Sequence, residues 1–319
     1  MARFSARPPS LTRPSLTMPK RIGFIINPAA AAGRASAQWA ALQDDFRQDG
    51  VAGKSRFTSR PGDAVRFAQE LGRECDVVVA VGGDGTLFEV ASGLLLGGAA
   101  HARLGVVPLG TGNDAARQFG IRDPTQARLA LRGANTINVD ALRIGCQTQG
   151  ATLSRHALLF AGVGILSEAL EQTTPRVKRV FGRRLSYPVG ALRALASYVA
   201  PLIRVTCDGQ TWEKRFLLVC ASNCELSGGG MRLAAGARMD DGFVDVNVCE
   251  TLGRVAAAAL LWKISRGHRP THPKLRYFTA RTVTVEADPP IPVAADGELI
   301  GQTPAQFEVV PQALKILVP

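Results

Sequence analysis

Apolar and polar positions follow two textures along the 319-residue chain. Up to about residue 132, short apolar runs alternate with longer segments of helical period. Ile22 to Ile26, Ser55 to Thr58, Val77 to Val81 and Leu104 to Val107 read as strands; the third and fourth are apolar throughout, as in strands buried on both faces. Ser36 to Asp49, Ala64 to Arg73, Leu87 to Leu96, a segment opening at Asp114 and one from Asp123-Pro124-Thr125 to Arg132 read as helices. Asp63 is placed to cap the second helix, and the Asn27 side chain to close a turn before Pro28. The alternation predicts a doubly wound, Rossmann-like parallel α/β domain, with ligands beyond the carboxyl ends of its strands.

From Ile137 the texture changes. Residues 137–145, 151–163, 202–208, 215–222, 243–249, 281–286 and 306–318 read as strands, and helices are expected only near 165–171, 186–199 and 252–265. Many strands joined by turns predict a mostly antiparallel β-sandwich. The expected organisation is a tail at 1–19, an α/β domain at 20–136 and a β-sandwich at 137–319. The segment from about 306 to 319 is expected to pack back on the first domain, and the active site to lie in the inter-domain cleft.

Composition narrows the function classes. With 46% hydrophobic and 20% charged residues the chain can build two sizeable cores. A net charge of +12 favours anionic partners such as nucleic acid, anionic lipid or phosphorylated substrates. Aromatics are only 6%, so base-stacking platforms are sparse and nucleic acid is not the expected partner. The six cysteines form no CxxC and read as small buried hydrophobes of a reducing compartment. Pro270 and Pro273 interrupt any helix that would pair His268 with His272 on a metal. No apolar run approaches the ~18 residues of a membrane span. The Arg-, Ser- and Pro-rich start lacks the apolar core of a secretory signal. It reads as a disordered tail or as sequence ahead of a start at Met18, with a transit peptide as the alternative.

Three loops close the strands of the first half: 27–33, 82–86 and 108–114. Gly82-Gly83-Asp84-Gly85-Thr86 lies where strand feeds helix, the place where backbone amides and a helix N-terminus bind phosphate. It is neither a Walker loop nor a GxGxxG fingerprint. Seen alone, it also fits a tight turn. A second loop, Pro108-Leu109-Gly110-Thr111-Gly112-Asn113-Asp114, repeats the setting. Together the two read as a floor of amides and hydroxyls for a nucleotide, with Asp84 near a metal or the transferring phosphoryl group.

These loops resemble those of the diacylglycerol kinase catalytic-domain family, and most of all its bacterial YegS-like lipid kinases. The resemblance rests on Asn27-Pro28, the loops at 82–86 and 108–114, Gly228-Gly229-Gly230-Met231, Asp240-Asp241-Gly242 and Asp296-Gly297-Glu298. It runs from residue 20 to 319. It implies an NAD-kinase-like first domain and phosphoryl transfer from ATP, with Mg2+, to a lipid hydroxyl. It places Asn27, Thr58, Gly82, Gly83, Gly85, Thr86, Leu87, Gly110, Thr111 and Asn113 at ATP. It places Asp241 and the carbonyls of Arg238 and Phe243 at magnesium. Glu298 would be the proton acceptor, with Asp296 as the other candidate, and Asp84 is expected to be indispensable.

Two departures stand out. Phe160-Ala161 replace a frequent family Asn, and four alanines follow Asn27-Pro28 where Ser-Gly is common. The basic run Arg176, Lys178, Arg179, Arg183 and Arg184, with Val177, Val180, Phe181 and Leu185 between, reads as a solvated face or as a patch docking to anionic membrane. The expected setting is cytoplasmic and peripheral to a membrane carrying the lipid substrate; a homodimer is an admissible assembly. Alternatives are an NAD-kinase-like or sphingoid-base kinase, and a degenerate fold serving as a basic membrane-binding module.

Overall fold

The structure, a computed structural model, describes residues 21–99, 101–148, 150–173, 190–191, 193–227 and 231–319. The chain divides into two compact units. One holds residues up to Asp140 with 238–241 and 311–319; the other holds 141–237 and 242–310. The basic run at 176–185 and Gly228-Gly229-Gly230 lie outside the described residues.

In the first unit β1 (Ile22–Ile26), β2 (Lys54–Phe57), β3 (Val77–Gly82) and β4 (Arg103–Pro108) pair in parallel in the order β4-β3-β1-β2. Every residue of β1 and β3 is buried. Each fully buried Val or Ile contributes roughly 1.5–3 kcal/mol, so the strand leading into the glycine loop is firmly anchored. Helices α1 (Ala35–Gln48), α2 (Asp63–Glu74), α3 (Asp84–Leu96), α4 (Asp114–Gln118) and α5 (Pro124–Arg132) connect the strands. Trp39 and Phe46 of α1 pack on Phe24 of β1, tilted and edge-on, with ring centroids 5.0 and 6.4 Å away. Asp123 caps α5 by accepting from the Gln126 amide at 2.9 Å.

Asp63 does not cap α2 as expected. Gly62 occupies the cap position and Asp63 is the first helical residue. Its carboxylate turns back to accept from the Ser59 amide and hydroxyl, both at 2.9 Å, and from the Arg60 amide at 3.1 Å. These bonds fix the loop after Thr58. The Ser59 donors hold the Asp63 carboxyl well below the usual carboxylate range. A depressed folded-state pKa gives stability that is present above the unfolded value, about 3.9, and lost as pH falls below it. Asp63→Asn is therefore expected to lower Tm at pH 7 and to flatten the fall of Tm as pH drops below about 4, where a free Asp takes up its proton and the bonded one does not. An unchanged acid profile would remove Asp63 from the account.

The second unit is antiparallel. Its strands are β5 (Thr136–Thr148, entering from the first unit), β6 (Ala151–Ala157), β7 (Phe160–Gly164), β8 (Leu202–Cys207), β9 (Gln210–Ser222), β10 and β11 (Leu226–Ser227, Met231–Arg232), β12 (Val244–Glu250), β13 (Leu275–Ala280), β14 (Thr282–Ala287), β15 (Pro292–Ala295) and β16 (Glu298–Leu317). The first part of β9 pairs with β8, and the rest pairs with β7 and β12. β16 passes from β15 to β14, and its last residues, in the first unit, reach β4 with Ile316 opposite Leu104. Long strands shared in this way let one core be enclosed from several sides. Val163, Ile203, Phe216, Val246, Val283 and Phe307 are among its residues.

Several boundaries differ from expectation, β9 among them, which starts at Gln210 and not at 215. Helix α3 starts at Asp84, three residues early. The segment read as one strand at 151–163 breaks at Leu158-Leu159, whose amides bond to Asp296 instead of a neighbouring strand. β13 and the four-residue β15 were not anticipated, because short stretches such as Pro292-Val293-Ala294-Ala295 carry no clear period. β16 begins at Glu298, not near 306.

Candidate active site

The two glycine loops of the first unit are bolted together. Asp84, in the first turn of α3, accepts from the Ala115 amide of α4 at 3.1 Å. Burial raises the Asp84 pKa, while the amides of Ala115, Asp114 and Asn113 pull it down. The backbones also touch. A Cβ on Gly110 would overlap Gly83 Cα and stand 2.6 Å from Asn113 Oδ1, so this crossing requires glycine. Asn113, at φ 59°, closes its own loop: its Oδ1 accepts from the Gly110 amide at 3.1 Å and its Nδ2 donates to the Gly110 carbonyl at 2.9 Å. Asn27 adds the third loop. Its Oδ1 accepts from the Ala29 amide at 3.0 Å, the expected turn, and its Nδ2 donates to Thr86 Oγ1 at 3.0 Å.

The amides of Asp84, Gly85 and Thr86 stand in the first turn of α3, where helix geometry supplies no acceptor. That end carries the positive pole of the helix and suits an anion. Thr111 is exposed at the tip of the second loop, and Thr58 follows β2, its amide donating to the Ile26 carbonyl at 2.9 Å. Leu87 corrects an expectation. Its side chain is in the core and its amide donates to the Gly83 carbonyl at 3.1 Å, so neither is left for a nucleotide. The alanine loop is unusual: Ala31 and Ala32 both adopt positive φ, 52° and 59°.

In the second unit Asp296-Gly297 is a two-residue turn joining β15 to β16, with positive φ at both positions. The Asp296 carboxylate is fully engaged with backbone: Oδ2 accepts from Leu158 at 2.7 Å, and Oδ1 accepts from Leu159 at 2.8 Å and Phe160 at 3.1 Å. Its own amide donates to the Phe160 carbonyl. Burial pushes its pKa up to about 7, against the pull of the three amides. Asp296 is therefore a brace for the turn, which corrects its placement as a candidate base. Glu298, two residues on, is exposed. Asn223, buried and not anticipated, holds the same 158–159 segment through its amide, to Leu159 O, and through Nδ2, to Leu158 O at 2.9 Å.

The expected metal group lies in the turn at 238–243. Arg238 pairs with Asp240 through two bonds, at 3.0 and 3.2 Å, and Asp241 is exposed. The Phe243 ring lies under the Arg281 guanidinium. Asp140, also missed, secures this turn: its amide donates to the Met239 carbonyl and its carboxylate accepts from the Gln312 amide at 2.7 Å. A buried carboxylate among the apolar positions Ile137, Val139, Ala141 and Leu142 of β5 is the available signal. Among the described residues no cluster of three or more His, Cys, Asp or Glu suits a metal, and no helix is long and apolar enough to cross a membrane.

Comparison with known proteins matches these features. Residues 21–144 match the diacylglycerol kinase catalytic domain, and residues 161–318 match the YegS C-terminal NAD kinase beta sandwich-like domain. The diacylglycerol kinase of Bacillus subtilis (strain 168) is 29% identical over 309 residues, covering 94% of this chain and 97% of its own. That of Staphylococcus carnosus (strain TM300) is 26% identical over 307 residues, covering 95% and 96%. A crystal structure of a candidate diacylglycerol kinase from Bacillus anthracis str. Sterne shares the fold, with a TM-score of 0.78, 24% identity and coverage of 96% and 97%. With both domain types matched in order, and the paired glycine loops and braced Asp-Gly-Glu turn in place, the chain belongs to the diacylglycerol kinase catalytic-domain family of lipid kinases.

Proposed function

We propose that this chain transfers the γ-phosphoryl group of ATP, with magnesium, to the hydroxyl of diacylglycerol or a related glycerolipid such as phosphatidylglycerol, at the cytoplasmic surface of an anionic membrane. The observation that carries the reading is the Asp84 bond to the Ala115 amide, which ties the two glycine loops into one floor. The names of the relatives support the acceptor class.

The amides of Gly85 and Thr86 and the Thr111 hydroxyl bind the phosphates; Asp84 and Asn113 hold the loops in place. Phosphoryl transfer needs mainly such positioning and charge neutralisation. Glu298 takes the proton of the lipid hydroxyl. The freed oxygen forms a bond to the γ-phosphorus as the bond to the β–γ bridging oxygen breaks, and ADP departs. Asp296 holds the turn so that Glu298 keeps one orientation.

The donor set at 238–243 fits a hydrated magnesium ion, which takes oxygen ligands and commonly one or two carboxylates. The exposed Asp241 would supply the carboxylate, beside Asp240, which Arg238 holds through two bonds. Arg238 and Phe243 can offer only their carbonyls, as a guanidinium has no acceptor. When bound, magnesium supplies charge neutralisation.

Competition between acceptors tests the substrate class. With labelled ATP and equal mole fractions of diacylglycerol, phosphatidylglycerol, ceramide and sphingosine in mixed micelles, most label is expected in the glycerolipid products. Label predominantly in sphingosine phosphate would move the chain to the sphingoid-base kinases.

A further inference from the structure

The helix Arg254–Ser265 of the second unit has an unusual surface. Its sequence is almost wholly apolar, yet among its described side chains only Ala257 is buried. Val255 is 85% exposed and Trp262 56%, and Ala259 between them is exposed too. Spaced at i, i+4 and i+7, these three form one outward stripe. Arg266 extends the stripe by one turn and lies over the Trp262 ring, 5.0 Å from its centroid. Charge around the helix is one-sided: from Thr251 to Val285 the sequence has seven Lys or Arg and no Asp or Glu.

We propose that this helix docks on an anionic phospholipid bilayer, lying in the headgroup plane with Val255, Ala259 and Trp262 directed into the acyl boundary. Three observations select a bilayer over another occupant. An apolar stripe ending in Trp is the pattern that settles at the headgroup level. Arg254 at one end and Lys263, Arg266 and Arg269 at the other are placed for lipid phosphates. Twelve residues of helix reach about 18 Å, short of the ~30 Å hydrocarbon core, so the element can lie on a membrane and not span it. The inference rests on the lipid-kinase reading for its purpose: an enzyme that takes its acceptor from a bilayer needs a surface to hold there. This surface is separate in sequence from the basic run at 176–185.

Vesicle binding of the full chain tests it without ATP. Cosedimentation is measured with phosphatidylglycerol/phosphatidylcholine vesicles and with phosphatidylcholine alone, and oligomeric state is followed by analytical ultracentrifugation. Binding is expected on the anionic vesicles and is expected to weaken with salt. Val255→Asp with Trp262→Ala should weaken it at least tenfold, and Lys263→Glu with Arg266→Glu at least as much, with Tm and sedimentation unchanged. The Trp262 variant should also lose the blue shift of emission on vesicle binding, since Trp39 is buried and Trp212 is half-buried against the β core. Turnover on vesicle-embedded diacylglycerol should fall with binding, while turnover on a water-soluble short-chain diacylglycerol stays within twofold. Wild-type affinity in the Val255/Trp262 variant overturns the proposal. So does a dimer that this variant dissociates while vesicle binding persists, which would assign the face to a second copy. Absence of lipid phosphorylation by the wild type would reject the kinase reading and leave the binding result to stand by itself.

Discussion

Asp84→Asn is expected to lower kcat/KM by about 100-fold or more, equivalent to ~2.7 kcal/mol of transition-state stabilisation. The carboxylate stands in the first turn of α3 and receives the amide at the start of α4. An Asn side chain offers one acceptor in place of two and turns an NH2 group toward amides that also donate. A buried donor left unpaired costs about 1–3 kcal/mol, so Tm should fall as well. The loops would then be free to separate, and KM for ATP should rise while kcat falls. That split distinguishes positioning from mere loss of stability, which would lower the active fraction without changing KM. Kinetics on the variant below its Tm would decide; unchanged turnover and KM would remove Asp84 from the mechanism.

Glu298→Gln is expected to reduce kcat by about 10²–10⁴, the usual contribution of a positioned base. Here KM for ATP should not move, because the residue acts on the acceptor. Tm should not move either, since Glu298 is exposed and its brace at Asp296 remains. Glu298→Asp should recover part of the rate. Asp296→Ala should imitate the loss while also destabilising the turn at 296–297. A full-rate Glu298→Gln variant would place the base elsewhere.

The fold was readable where period was strong. The buried runs at 22–26 and 77–82 carry their own assignment, and the change of texture after Ile137 announces the antiparallel unit. The glycine loops were readable because two of them recur at the ends of buried strands. What could not be read is long-range. Asp84 was marked as a chemical group, but its bond to Ala115 joins residues 31 apart and leaves no local pattern. Asp296 and the 158–160 segment are separated by more than 130 residues, and this contact both breaks the expected strand at 151–163 and separates the roles of Asp296 and Glu298. Asp140 and Asn223 bond to segments distant in the chain, Gln312 and Leu158, so the sequence around them carries no sign of their role. Leu87, placed at ATP by the resemblance alone, sits on the core side of the first helical turn.

Delivery of a nucleotide phosphate to a lipid is read out by incubating the purified chain with ATP labelled at the γ-phosphate, magnesium, diacylglycerol in mixed micelles and NAD, then separating lipid, nucleotide and free phosphate. Label is expected in the lipid fraction, abolished by chelating the metal and lowered about 100-fold or more by Asp84→Asn. Label on NAD, with none in any lipid, would contradict the lipid-kinase reading.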